Sequence, residues 1–320
     1  MKQEGSNTTT VTEFLLLELS DQFELQMLYF VLFLLIYLIA LTGNLLLIMI
    51  VAVDRHLHTP MYLFLANLSI LDIFFISVTI PKSINVSLTQ IRSISFSGCM
   101  SQIFWGVNFA SAELALLTVM AYDRYIAICF PLQYHVIMNK MKCAGMIAGC
   151  WISSTIYAML HAMNIIFLPF CGPNNVDQLF CDIPQILKLA CADTFGNETA
   201  VFACGIVFGL IFCSSIIVSY AHIFSAVQKI PSSHSRYKVF STCLPHLIVF
   251  SLFLFTGMFT HMKRSSGSSI SKELLAALLY SVVSPIANPV IYSLRNKEIR
   301  KALEKFMNKV IFNQHVLTTK

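Results

Sequence analysis

The chain has 320 residues, of which 57% are hydrophobic and 12% charged, where a soluble domain carries about 25% charged residues. That balance excludes an ordinary water-soluble fold and points to a bilayer, in which unpaired backbone groups force each crossing into a helix of roughly 20 apolar residues. The net charge of +5 does not indicate a nucleic-acid partner, because the basic residues flank apolar segments, where they mark the cytoplasmic face.

The first 26 residues are polar and acidic, with Glu4, Glu13, Glu18, Asp21 and Glu24 against Lys2. They lack the basic start, apolar centre and small-residue cleavage site of a removable signal, so the first span is expected to act as the targeting signal. Asn7-Thr8-Thr9 is a glycosylation acceptor on this segment. Asn85-Val86-Ser87 and Asn197-Glu198-Thr199 share the pattern but stand close to the membrane, and Asn67-Leu68-Ser69 falls inside a span.

Seven apolar windows follow, at 27–51, 59–81, 99–128, 143–168, 198–224, 239–260 and 273–294. Pro60 and the pair Pro81-Lys82 are expected to bound the second, and the second and fourth are the weakest by hydropathy. With the N-terminus outside, the inner segments hold fourteen Lys and Arg residues and the outer segments seven. This excess predicts an extracellular N-terminus and a cytoplasmic C-terminus. The expected fold is therefore an all-α membrane protein: an extracellular tail over 1–26, a seven-transmembrane helix bundle over 27–294 and a cytoplasmic tail over 295–320. In that tail, Asn296 to Lys309 alternates bases with Ile299, Leu303, Phe306 and Met307, which share one helical face. An amphipathic helix on anionic lipid of the inner leaflet is predicted, with a frayed tail as the alternative.

Four of the ten cysteines, Cys99, Cys171, Cys181 and Cys191, fall on the outer side, in an oxidising compartment, and allow three pairings. A zinc site among them lacks the short paired spacing such sites use. Cys129, Cys143, Cys150, Cys204, Cys213 and Cys243 lie in or near spans and read as small apolar side chains.

Charges inside a span are costly and therefore informative. Asp72 in the second span and Glu113 in the third either face each other and hold a cation or share a proton, or bond to groups such as Asn44, Ser69 and Asn288 as structural links. Met120-Ala121-Tyr122-Asp123-Arg124-Tyr125 puts an adjacent acid and base at the inner end of the third span, where Asp123 can hold Arg124 until a partner engages it. In Ser284-Pro285-Ile286-Ala287-Asn288-Pro289-Val290-Ile291-Tyr292, two prolines interrupt the seventh span and make a candidate hinge.

These motifs resemble the odorant receptors of the rhodopsin-like G-protein-coupled receptor superfamily. The matching residues run from Gly43-Asn44 through Leu57-His58-Thr59-Pro60-Met61-Tyr62, Leu68-Ser69 and Asp72. They continue through MAYDRYIAIC (Met120 to Cys129), Ser219-Tyr220, Lys238, Phe240-Ser241-Thr242-Cys243 and His246 to Pro285 through Asn296. The resemblance implies a bridge from Cys99 to Cys181, leaving Cys171 with Cys191. It makes Arg124, beside Asp123 and Tyr125, the receiver of the G-protein tail. Tyr220 and Tyr292, with Asn288 and Pro289, become the groups that rearrange on activation, and a stimulatory olfactory G protein that raises cyclic AMP becomes the partner. The chain departs from the family pattern at Val239, Pro245 and Leu254, the last replacing a tyrosine at the floor of the pocket.

By resemblance a small volatile molecule sits in the outer half of the bundle. The face expected to line it comprises Ile103, Gly106, Val107, Ala110 and Ser111 of the third span, Phe202, Ile206 and Val207 of the fifth, and Phe255, Met258 and Phe259 of the sixth. It is mostly apolar, which suits recognition by shape and dispersion. An amine receptor's aspartate is replaced here by Gly106, and no lysine lies between Glu273 and Arg295 to bind retinal. No internal repeat suggests a transporter. The scattered His161, His222, His246 and His261 form no catalytic set, so neither an enzyme nor a cofactor is implied.

Overall fold

A computed structural model of the chain describes residues 11–171, 173–191, 196–262 and 270–318. In chain order the helices are α1 (Phe23–Val53), α2 (Pro60–Thr89), α3 (Phe96–Cys129), the short α4 (Tyr134–Ile137), α5 (Lys140–Ile166), the short α6 (Ile183–Leu189), α7 (Gly196–Gln228), α8 (Ser233–Met262), α9 (Ile270–Arg295) and α10 (Lys297–Thr318). Among the described residues α1, α2, α3, α5, α7 and α8 are each long and apolar enough to cross a membrane. The seventh apolar window lies on α9. The helices overrun their windows at most ends because 27 to 34 residues, at about 1.5 Å each, exceed the roughly 30 Å of hydrocarbon that selects for apolar side chains.

Two expectations about the second span are corrected. Pro81 and Lys82 do not end it: α2 continues through Pro81 to Thr89 and stops at Gln90, whose φ of 60° is left-handed. One missing N–H interrupts a single rung of the ladder, which a packed membrane helix tolerates. Close by, Gln102 of α3 donates its amide to the Val78 carbonyl at 3.0 Å. Nor is the second span weak, since its apolar stretch is more hydrophobic than those of the third and fourth, its Leu, Ile and Phe outweighing Asn67, Ser69 and Asp72.

The core runs down the bundle, with Phe64, Leu65, Leu68 and Leu71 of α2 packed among Ala112, Leu116, Leu117 and Met120 of α3. Gly43 lets α1 lie close to α9, since a Cβ there would stand 3.2 Å from Pro289 Cγ. At the end carrying the N-terminus, strand β1 (Glu13–Leu16) is central in a three-stranded sheet with β2 (Ser93–Ser95) and β3 (Asn175–Val176). It pairs antiparallel with β2, Phe14 opposite Ile94, and parallel with β3, Leu16 opposite Val176. Phe14 and Leu16 are buried against Cys99, Ile103, Phe170 and Cys181. The segment read as a polar tail thus contains a buried strand, and Arg92 and Glu18 pair at 3.0 Å beside it. Cys99 is bonded to Cys181 and Cys171 to Cys191. Asn7 lies outside the described residues.

At the opposite end, Asn296 caps α10 by accepting from the Glu298 and Ile299 N–H groups at 3.0 and 3.3 Å, and Tyr62 donates to the same oxygen at 3.3 Å. Ile299 and Ala302 are buried and Leu303 packs at the margin of the core, while Met307, expected on the same apolar face, stays exposed toward the far end of the helix.

Candidate functional site

Midway along the bundle three buried polar side chains converge from three spans. Asp72, Glu113 and Asn288 are 1%, 3% and 2% exposed. The Asn288 amide nitrogen donates to both Asp72 carboxylate oxygens at 3.2 and 3.0 Å and to Glu113 Oε1 at 3.4 Å. Ser284 adds a hydrogen bond to Glu113. The two carboxylates are thus brought together around one amide, and their repulsion requires a proton or a cation to offset it. The prolines are accommodated nearby. Pro289 has no N–H for the Pro285 carbonyl four residues back, and Asn44 of α1 donates to that carbonyl at 2.8 Å. Asn44 therefore completes the interrupted helix.

At the base of the bundle, on the side of α10, Arg124 is held by Asp123 through Nε at 3.1 Å and Nη2 at 2.6 Å. Tyr134 of α4 donates to the other Asp123 oxygen at 2.7 Å. Burial and the neighbouring Asp123 raise the Tyr134 phenol above its ordinary value, so the hydroxyl stays a donor at neutral pH. Asp123 is fully buried, and with both oxygens engaged it fixes Arg124 and the following loop together. Tyr125 packs between Phe130 and His222 of α7.

A second latch joins three spans. His246 Nε2 lies 2.9 Å from the Leu117 carbonyl and Nδ1 lies 2.9 Å from the Tyr220 hydroxyl. A carbonyl only accepts, so Nε2 carries the proton and Nδ1 of the neutral ring accepts from Tyr220. Tyr292 is buried with its hydroxyl unpartnered among the described residues. The family resemblance implies a role for Tyr220 and Tyr292 but none for His246 or Tyr134. Only the MAYDRYIAIC string and the family motif around His246 mark these neighbourhoods, and neither says which residues touch.

The residues expected to line the ligand face are not all in one environment. Ile103 is buried under the sheet, Val107 packs at the edge of that cluster and Ala110 at the edge of the main core. Ser111 donates to the Val107 carbonyl at 2.6 Å. A Cβ at Gly106 would meet nothing within 4 Å, so open space borders α3 there. Phe202, Ile206, Val207, Phe255 and Met258 are exposed on α7 and α8, while the Phe259 side chain lies outside the described set. Leu254 packs at the margin of the core. No group of three or more metal-binding side chains occurs among the described residues.

The fold matches that of squid rhodopsin with a TM-score of 0.72, covering 91% of this chain and 87% of that one at 18% identity. A family profile described as olfactory receptor matches residues 33–310. Human olfactory receptor 14I1 is 48% identical over 96% of this chain and 99% of its own length. Human olfactory receptor 14J1 is 47% identical over 95% and 94%, and the rat olfactory receptor-like protein I9 is 45% identical over 95% and 96%. A seven-span bundle with these relatives along nearly its whole length is a multi-pass membrane receptor that signals through a heterotrimeric G protein rather than an enzyme, and the chain belongs to the olfactory receptor family.

Proposed function

We propose that the chain is an odorant receptor of the plasma membrane that holds small, mostly apolar volatile molecules and activates a stimulatory olfactory-type G protein, raising cyclic AMP. Residues 1–26 form its extracellular segment, glycosylated at Asn7, residues 27–294 the receptor domain, and residues 295–320 a cytoplasmic tail whose amphipathic helix rests on membrane lipid. No nucleic acid is a partner. The ligand contacts α3 at Ile103, Gly106, Val107, Ala110 and Ser111, α7 at Phe202, Ile206 and Val207, and α8 at Phe255, Met258 and Phe259. Asp72 and Glu113 hold a cation or a shared proton in the resting state.

The observation that carries this reading is the closed base, where Arg124 is held by Asp123 and Asp123 in turn by Tyr134. A partner that draws Arg124 away must break charge-assisted bonds, and this gives the resting state a definite lock. Tyr125, Tyr220, Asn288, Pro289 and Tyr292 are the groups that shift when it opens. The test is cyclic AMP in cells expressing the chain with the olfactory G protein, screened against a mixed odorant panel. An Arg124→Ala variant at equal N-terminal surface staining serves as control. A wild-type response that disappears in the variant is expected; a response that persists in Arg124→Ala would remove Arg124 from coupling.

A further inference from the structure

Gln102 follows Cys99 on α3 by three residues and so shares its face of the helix. Its side-chain amide is engaged at both ends. The oxygen accepts from the Cys181 N–H at 3.0 Å, and the nitrogen donates to the Val78 carbonyl of α2 at 3.0 Å. These partners fix the orientation of the amide, because a backbone N–H only donates and a carbonyl only accepts.

The loop at Cys181 is thereby gripped twice by α3. The Cys99–Cys181 bridge is a run of single bonds about which the loop can turn, and the Gln102 bond to the backbone of the bridged residue removes that freedom. On the other side, Val78 lies three residues before Pro81, in the turn whose ladder the missing N–H interrupts. Just past the proline, Lys82 donates to the Ser93 carbonyl of β2 at 2.7 Å. The same helix carries Asp72, which is less than roughly two turns before Val78. The proline turn of α2 therefore stands between the loop at the sheet end and the central carboxylates, and Gln102 joins it to that loop. Both of its partners are backbone groups, so the side chain responds to where the two segments lie and not to their side chains.

We propose that Gln102 is a positioning residue, a strut that makes the Cys181 loop and the proline turn of α2 depend on one another. A ligand that displaces the loop thereby also shifts α2; this last step rests on the proposed odorant-binding reading.

The coupling is tested without ligand, by hydrogen exchange of the purified full-length receptor in the α2 stretch around Pro81 and the loop stretch around Cys181. Gln102→Met removes both bonds and should speed exchange in both stretches by about 3- to 10-fold, the factor that one net hydrogen bond supplies. Gln102→Glu, ionised at about pH 8, still accepts from Cys181 but cannot donate to Val78. Exchange around Cys181 should nevertheless rise in this variant too, because an acceptor released from α2 swings with the loop. Lys82→Met is the control: it frees Ser93 and should leave the Cys181 stretch at the wild-type rate. Faster exchange confined to α2 in Gln102→Glu, wild-type rates in Gln102→Met, or equal loosening of the Cys181 stretch by Lys82→Met overturns the strut. Cyclic AMP is then measured with the members of the odorant panel that activate wild type. Both Gln102 variants should need about 10-fold more odorant for half-maximal response, with basal and maximal output unchanged at equal surface staining. Unchanged half-maximal concentrations overturn the role in ligand response. A silent wild type counts against the odorant-binding reading, while the exchange rates still uphold or overturn the coupling.

Discussion

Asn288 is the single amide that serves both buried carboxylates, and its loss is more damaging than the loss of either acceptor. Replacing it with Leu leaves Asp72 and Glu113 buried without their common donor. A desolvated acceptor left unsatisfied costs about 1 to 3 kcal/mol, more when charged. Asn288→Leu is expected to destabilise the receptor by roughly 2 to 3 kcal/mol, read as a lower melting midpoint in detergent, with Asn288→Asp also destabilised because it adds a third carboxyl. A variant that melts with wild type would mean that the three side chains do not depend on one another. Tyr134→Phe removes one bond to Asp123 while leaving the Arg124 pair, so basal cyclic AMP should rise with ligand-stimulated output retained. Unchanged basal signalling would assign Tyr134 to packing alone. The acids were legible in the sequence because a charge inside an apolar span stands out. Asn288 was one of three side chains expected to link them, and the structure selects it over Asn44 and Ser69; His246 as a latch and Tyr134 as a holder of Asp123 were not legible, because each depends on a contact between distant segments that no local pattern encodes.

The same division holds at the level of elements. Seven spans could be read because the bilayer imposes a length and a composition on every helix that crosses it. Their ends, and the course of α2 past Pro81, could not, since proline's effect depends on whether neighbours satisfy the freed carbonyl. β1 escaped notice for a different reason: four residues in an acidic segment carry too little periodicity to announce a strand, and its partners lie in two distant loops. Its burial makes it structural. Phe14 packs against Phe96 and Phe170 at centroid distances of 6.0 and 5.7 Å. Truncating a buried Phe to Ala costs about 3 to 5 kcal/mol, so Phe14→Ala should sharply reduce the receptor reaching the cell surface, while Leu15→Ala on the exposed side of the strand should not. Equal surface staining of the two variants would show that the strand contributes little to folding.

Across the whole molecule α3 links the two ends: Cys99 anchors it under the sheet, Gln102 accepts from the Cys181 N–H at 3.0 Å, Glu113 joins the central carboxylates and Arg124 stands at the base. The two disulfides at the sheet end span very different lengths of chain, 82 residues for Cys99–Cys181 and 20 for Cys171–Cys191. Loop-entropy arguments for a soluble protein would make the first much the stronger stabiliser. In a bilayer that reasoning fails, because α3 and α5 are already held side by side by the membrane before the loop is closed. The chain that the first bridge restrains is then the stretch from the end of α5 to Cys181, about 15 residues, for which the same relation gives about 3 kcal/mol. The second bridge closes a loop of similar length outside the spans. Removing either pair by double Cys→Ser replacement should therefore cost about the same, near 3 kcal/mol each, in melting measurements on purified receptor. A clearly larger loss for Cys99 and Cys181 would mean that the spans are not prearranged by the bilayer and that the bridge constrains the whole intervening chain.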